Sequence, residues 1–139
     1  MVDAERIGAR LDRLEHLIER LDRVRARGER AYLESEEQRA MTERWLQLAI
    51  QACIDMGAQI VSELSVSAPS DYAAVFKALA DAGVVGPELG DRLAAAARQR
   101  NVLVHLYMDI DDRAVFATLS RLDDLRAFAA AVQRLADEG

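Results

Sequence analysis

The stretch IGARLDRLEHLIERL, residues 7–21, places apolar side chains at alternating intervals of four and three residues. That spacing follows the 3.6-residue turn of an α-helix and gathers the apolar side chains into one stripe. Charged residues of both signs fill the other faces, which is typical of a solvated helix surface. His16 lies on that polar side, and we expect it to be exposed. The stripe predicts a helix that packs on a core through Ile7, Leu11, Leu14, Ile18 and Leu21.

A second, longer helix is predicted after a break in this pattern. Gly28 and the polar residues that follow it interrupt the first helix. Ser35, with Gln38 three residues later, fits a capping box, in which the Ser hydroxyl accepts a backbone N–H and the Gln reaches back. The helix that follows, from about residue 36 to about residue 65, is apolar over much of its girth. Such a helix is usually buried on two sides.

Three further helices complete the prediction. A short helix is expected to begin with Ser70 as its cap, and a fourth opens with Pro87 in its first turn and continues to about Tyr107. An acidic turn at residues 109–112 can cap the last one. Apolar and polar residues do not alternate over any useful length, so the sequence predicts no β-strand. The sequence therefore predicts an all-α fold, a single domain over residues 1–139 that forms a bundle of about five helices.

The composition narrows the classes of site that this domain can contain. Apolar residues make up 51% of the 139 residues, enough for a core. The one cysteine, Cys53, excludes an internal disulfide and is expected to fill the core. Two distant histidines and one cysteine offer no metal cluster. We therefore expect neither a metal nor a cofactor.

Charge and hydropathy suggest where the chain works and what it binds. The net charge of −6 argues against a protein that binds nucleic acid by general charge, and we expect no DNA binding. It still allows an enzyme that holds RNA in one small basic cleft. No apolar run is long enough to span a membrane, and no signal peptide is visible at the N-terminus. The expected location is the cytoplasm, with no membrane contact.

The chemically richest stretch is RNVLVHLY, residues 100–107, which we call the motif segment. At about 100° per residue, Asn101, His105 and Tyr107 fall near 100°, 140° and 340° from Arg100, so all four share one helical arc. Arginine is a planar cation suited to phosphate, and histidine moves protons near neutral pH. Together they suffice to cleave RNA through its own 2′-hydroxyl without a metal. Arg100 would stabilise the phosphorane, His105 would act as general acid or base, and Asn101 would support it.

The motif segment resembles the R-x4-H-x-Y pattern of the HepT-like toxins, a branch of the HEPN superfamily. The order of flanking segments is also similar: residues 46–57 look like the family's second core helix, and Ser70-Asp71-Tyr72 followed by Phe76 also fits. One departure occurs immediately before the motif, where Arg98 and Gln99 replace the Gly-Phe common in the family. The replacement either adds a cation that helps to hold RNA or alters the local packing.

The resemblance implies more than the residues alone. HepT-like toxins are all-α homodimers whose motifs line a shared cleft, and they act as metal-independent endoribonucleases of toxin–antitoxin systems. An MntA-type nucleotidyltransferase antitoxin transfers AMP from ATP onto the motif tyrosine, which would be Tyr107 here. The added phosphate and bulk would keep RNA from Arg100 and His105. The expected RNA substrate has an accessible single-stranded stretch, as in a tRNA loop or an mRNA.

Two other interpretations of the motif segment remain open, and one residue has no settled role. The first is a non-catalytic HEPN module that binds a nucleotide or the transferase partner, which the net negative charge favours. The second is a plain helical dimerisation protein, for which changing Arg100 or His105 would have no effect. Asp55 interrupts the apolar second helix. A buried carboxylate needs a partner, so Asp55 is predicted either to join an interface or to support the active site.

Overall fold

The computed structural model describes residues 3–64, 69–105 and 111–138, and for residues 100–105 it describes the backbone. Within these ranges the chain is helical and contains no β-strand, which confirms the all-α prediction. None of these helices is both long and apolar enough to cross a membrane. The elements are α1 (Ala4–Arg27), α2 (Glu29–Glu34), α3 (Glu36–Glu63), α4 (Tyr72–Asp81), α5 (Pro87–His105), α6 (Asp112–Thr118), a 3₁₀ turn (Leu119–Arg121) and α7 (Leu122–Glu138).

Side-chain caps set the start of four helices. The Ser35 hydroxyl accepts the Gln38 N–H at 3.1 Å, which confirms the accepting half of the predicted capping box. An aspartate likewise begins α1 and α6, and the cap of α6 confirms the predicted role of the acidic turn. The prediction of Ser70 as a cap is wrong by one residue, because Asp71 accepts the Ala74 N–H at 2.8 Å and begins α4.

Two regions carry more helix ends than the sequence predicted. The polar stretch after Gly28 forms the short helix α2, and Gly28 adopts a φ of 91°, which favours glycine. The last predicted helix is divided into α6, the 3₁₀ turn and α7. Near the division, the Thr118 hydroxyl donates to Val115 O at 2.6 Å and the Ser120 hydroxyl donates to Ala117 O at 2.8 Å. These side chains compete for backbone carbonyls three residues earlier, which favours a tighter turn.

The core lies between the long helices. All five predicted stripe residues of α1 are buried, and α3 contributes buried residues along most of its length. Cys53 is buried as predicted, and burial raises the pKa of its thiol. Gly57 lets α4 approach α3 closely, because a Cβ atom at this position would lie 2.8 Å from Val75 Cγ1. Helix α3 thus packs against α1 on one side and against α4 and α5 on another.

Candidate active site

The structure places the first part of the motif segment at the C-terminal end of α5. Arg100, Asn101 and His105 all belong to this helix, as predicted, and His105 is its last residue. Asn101 and His105 are therefore one helical turn apart. Tyr107 lies outside the described residues.

Helix α5 runs antiparallel to α3, which determines what surrounds the motif. Phe76 of α4 contacts the position of Gly57 in the second half of α3 and that of Gly90 near the start of α5. Further along α5, Gln99 lines the same cavity as Leu46 of α3. The last turn of α5 therefore lies level with the N-terminal part of α3.

Asp55 is not at this level. Asp55 follows Leu46 by nine residues along α3. At a rise of 1.5 Å per residue it therefore lies roughly 13 Å along the helix axis from Leu46, in the direction away from the last turn of α5. Its side chain is exposed within the chain and accepts a hydrogen bond from Gln51 Nε2 at 2.7 Å. The expectation of a buried carboxylate is thus wrong for a single chain, because none of the helices that the structure describes covers this face of α3. Its role at an interface or an active site stays a prediction.

Three residues that sequence reasoning missed meet at the start of α6. Arg39 Nε lies 3.4 Å from Asp112 Oδ2, and the Arg39 guanidinium also donates to Leu33 O at the end of α2. Glu43 of α3 is close enough to Asp112 for the charge of that carboxylate to act on it. Burial raises the pKa of Glu43, and the Asp112 charge raises it further, while Arg39 opposes them. Arg39 and Glu43 are four residues apart in a polar stretch, so the sequence alone shows only an ordinary solvated helix face.

Two other contacts hold α6 against α2. Arg113 Nη1 lies 2.8 Å from Glu29 Oε1, and the rings of Tyr32 and Phe116 have centroids 5.3 Å apart. Tyr32 is fully buried, and its hydroxyl has no hydrogen-bond partner among the residues that the structure describes. Burial and the negative charges of Asp112 and Glu43 raise the pKa of that hydroxyl. The start of α6 is therefore fixed to both α2 and α3.

The chain matches the family "Ribonuclease HepT-like" over residues 14–132, which include all of α3, α4, α5 and α6. The chain belongs to this family. The HepT-like pattern Arg100-x4-His105-x-Tyr107 lies well inside the matched range.

A curated relative is similar to this chain in sequence, and two solved structures are similar to it in fold. The tRNA nuclease HepT of Aphanizomenon flos-aquae (strain 2012/KM1/D3) is 40% identical over 89 residues, which are 64% of this chain and 60% of the relative. The match thus covers less than two thirds of that relative's length.

The two solved structures share the fold at 22% identity. YutE of Bacillus subtilis, a cytosolic protein of unknown function, superposes with a TM-score of 0.86 over 99% of this chain and 92% of its own. The tri-AMPylated HEPN toxin of Shewanella oneidensis, in complex with its MNT antitoxin, gives 0.85 over 96% and 99%. The predicted HEPN-like fold is confirmed.

The departure from the common HepT-like sequence lies beside a small cavity. Arg98 is exposed, whereas Gln99 is half-buried and lines a cavity of about 60 Å³ between α3, α5 and the start of α7. The floor is apolar, and Arg92 and Arg121 line the cavity as well. Arg92 is paired with Asp124 at 2.9 Å. The cation that this HepT-like chain adds at position 98 therefore faces solvent. Gln99 is the residue of the two that packs against the cavity.

No metal-binding cluster appears in the ranges that the structure describes: nowhere there do three His, Cys, Asp or Glu residues come together as ligands. His16 is exposed on α1, as predicted, and its Nδ1 lies 2.7 Å from Asp12 O. This histidine thus lies on a different helix from the motif.

Proposed function

We propose that this chain is a metal-independent endoribonuclease and the toxin of a toxin–antitoxin pair. The observation that carries the proposal is the family match over residues 14–132, which contains the Arg100 and His105 pair on one continuous helix. The curated relative is named a tRNA nuclease, and this favours tRNA as the RNA class. The proposed site of action is the cytoplasm.

The proposed reaction uses the substrate's own nucleophile. The 2′-oxygen attacks the adjacent phosphorus, the bond to the 5′-oxygen breaks, and the products are a 2′,3′-cyclic phosphate and a 5′-hydroxyl. His105 transfers a proton as general acid or base, since imidazole titrates near neutral pH. Arg100 stabilises the charge that builds up on the phosphorane oxygens. Asn101, one turn before His105, supports that histidine.

We infer that the working form is a homodimer with the two motifs in one cleft. Each chain provides a single Arg100 and a single His105 on the same helix end. A second copy would supply another cation and another imidazole, which allows one group to accept a proton while another donates one. The net charge of −6 limits binding to such a local basic cleft, because extended phosphate contacts need more cations.

We further propose that an MntA-type nucleotidyltransferase antitoxin inactivates the chain by AMP transfer to Tyr107. Support comes from the Shewanella oneidensis relative, which is tri-AMPylated and bound to an MNT antitoxin. In the transfer, the tyrosine oxygen attacks the α-phosphorus of ATP and pyrophosphate leaves. Tyr107 is two residues after His105, so the added phosphate would repel an RNA phosphate there.

The second candidate is a non-catalytic HEPN module that binds a nucleotide or the transferase. The net negative charge favours this candidate, because a chain with this charge attracts RNA only weakly. A protein that binds another protein does not need that attraction, whereas an enzyme that acts on RNA does. This candidate predicts complex formation without RNA cleavage.

A cleavage assay separates the two candidates. Labelled tRNA is incubated in EDTA with the unmodified protein, with His105→Ala and with the matched control His16→Ala, which removes an exposed histidine elsewhere. The nuclease proposal expects cleavage by the parent and by His16→Ala and none by His105→Ala. Mass spectrometry verifies that Tyr107 carries no AMP. No cleavage by any of them moves the conclusion to the binding module.

A further inference from the structure

The cavity beside Gln99 has an apolar floor and a polar mouth. Its floor consists of buried side chains of α3 and α7, among them Leu46 and Leu122. The residues at its mouth include Arg92 and Arg121, which are exposed. A cavity that reaches the surface and combines apolar walls with a few polar groups is typical of a ligand site.

Two of the polar side chains around this cavity already have partners. The Thr118 hydroxyl donates to Val115 O at 2.6 Å, and Arg92 Nε lies 2.9 Å from Asp124 Oδ1. The hydroxyl is thereby hydrogen-bonded and the charge of Arg92 is balanced within the protein. Neither group requires a ligand.

Gln99 and Arg121 differ from these residues, because neither has a hydrogen-bond or ion-pair partner among the residues that the structure describes. The half-buried Gln99 amide offers two donors and an acceptor, which can pair with the edge of a nucleobase. Arg121 is exposed and presents a planar cation suited to phosphate. The cavity thus combines free hydrogen-bonding groups for a base with a free charge for a phosphate.

The size of the cavity suits one base rather than a whole nucleotide. Its volume of about 60 Å³ leaves space for roughly four to six water molecules, at about 10–15 Å³ each by this measure. That space accommodates a single planar heterocycle, whose faces would pack on the apolar walls, while the sugar and the phosphate stay at the mouth. Single-stranded RNA supplies such bases, because its unpaired bases can turn out of the stack.

The cavity also lies next to the proposed catalytic residues. Gln99 directly precedes Arg100 on α5, and consecutive Cα atoms are about 3.8 Å apart. A base that is hydrogen-bonded by Gln99 therefore belongs to a nucleotide close to the proposed cleavage point. Gln99 is also one of the two residues that replace the common Gly-Phe, so this amide is not the usual residue of HepT-like chains.

We propose that the cavity between α3, α5 and α7 is a subsite for one unpaired nucleobase of the RNA substrate. Gln99 hydrogen-bonds the edge of the base, and Arg121 binds a phosphate at the mouth. Gln99 is thereby a specificity-determining residue. Because the ligand is RNA, the subsite rests on the proposed function, but binding of the base does not require the cleavage step.

The test measures the binding of short single-stranded RNAs that cannot be cut. Oligonucleotides of A, of C and of U with 2′-O-methyl groups lack the nucleophilic hydroxyl and present the same base at every position. We expect the parent to bind one of the three about tenfold more tightly than the weakest. Gln99→Leu keeps the bulk but loses the amide, so the three affinities should converge to within about threefold.

Two further variants test the cavity and the cation. Ala95 is an exposed residue of α5 that lines the cavity, and Ala95→Leu should obstruct it and weaken the preferred RNA at least about tenfold. Arg121→Ala should weaken all three RNAs equally and reduce the salt dependence, because a phosphate contact carries no base information. The control Ala9→Leu enlarges an exposed alanine of α1 and should change neither affinity nor preference. Thermal unfolding verifies that each variant is folded.

Cleavage of natural tRNA in EDTA by the same proteins distinguishes failure of the subsite from failure of the proposed function. Equal affinities in the parent, an unchanged preference in Gln99→Leu or an unchanged affinity in Ala95→Leu overturns the subsite, even if the tRNA is cut. A base preference that Gln99→Leu abolishes supports the subsite, and a lack of cleavage then contradicts the nuclease alone. AMP, CMP or UMP that binds as tightly as the RNA would overturn the RNA base and indicate a free nucleotide in the cavity.

Discussion

Arg39 Nε lies 3.4 Å from Asp112 Oδ2, so a side chain of α3 holds the first residue of α6. The two residues are far apart in sequence and close in space because α5 returns along α3 in the antiparallel direction. Helices α5 and α6, which precede and follow the residues between His105 and Asp112 in the sequence, thus both rest on α3. The chemistry proposed for Arg100 and His105 requires fixed positions, because proton transfer and charge stabilisation depend on geometry.

The arginines at the motif should separate catalysis from RNA binding. Arg100→Lys keeps the charge but loses the planar fork, and we expect kcat to fall about 100-fold. The exposed Arg98 should contribute one phosphate contact at most, so Arg98→Ala should raise KM with little change in kcat. Steady-state tRNA cleavage at two salt concentrations measures both. Equal losses of kcat in the two variants would contradict the assignment of the motif arginine.

Tyr107→Phe should fold normally and accept no AMP, because the phenolic oxygen is the nucleophile of the transfer. The control is Tyr72→Phe, since this tyrosine is 46% exposed on α4. Intact-protein mass spectrometry after incubation with the antitoxin and ATP should show AMP on the parent and on Tyr72→Phe. AMP on Tyr107→Phe would show that the acceptor is another residue.

Tyr32→Phe should leave the protein as stable as the parent or stabilise it by about 1 kcal/mol. The hydroxyl is buried and unpartnered, so its removal ends a desolvation cost while the ring contact with Phe116 remains. Urea unfolding measures the free energy of unfolding. A loss of more than about 1 kcal/mol would mean that the hydroxyl has a partner in solution.

Gly57→Ala should destabilise the fold by about 1–2 kcal/mol, because the new Cβ meets the stiff side chain of Val75 at 2.8 Å. Gly8→Ala is the matched control. Gly8 also lies inside a helix but has nothing within 4 Å of its Cβ position, so alanine there should stabilise by about 0.5–1 kcal/mol. Thermal and urea unfolding of both variants give the comparison. Two changes of the same sign would contradict the close packing of α3 on α4.

Sequence reasoning succeeded where local spacing carries the information. The stripe of α1 and the cap at Ser35 depend on residues within one or two turns, and both are confirmed. The short helix α2 was missed because its six residues between Gly28 and Ser35 are too few to show a period.

The errors at the site arise from contacts between distant residues. Asp55 stands among apolar residues in the sequence, yet which faces of α3 are covered depends on where α1, α4 and α5 pack. Glu43 and Asp112 are far apart in the sequence, with α4 and α5 between them, so no local sequence pattern connects them. In contrast, Arg100 and His105 could be placed together from the sequence, because they are five residues apart on one helix.

The measurement that tests the central claim most directly examines the cleaved RNA end. A tRNA cut by the unmodified protein in EDTA is compared with the same tRNA carrying a 2′-deoxynucleotide on the 5′ side of the cut. The account predicts a 2′,3′-cyclic phosphate on the natural substrate and no cut at the deoxy position. Cleavage at the deoxy position, or a need for a metal ion, would contradict a reaction driven by the 2′-hydroxyl with Arg100 and His105.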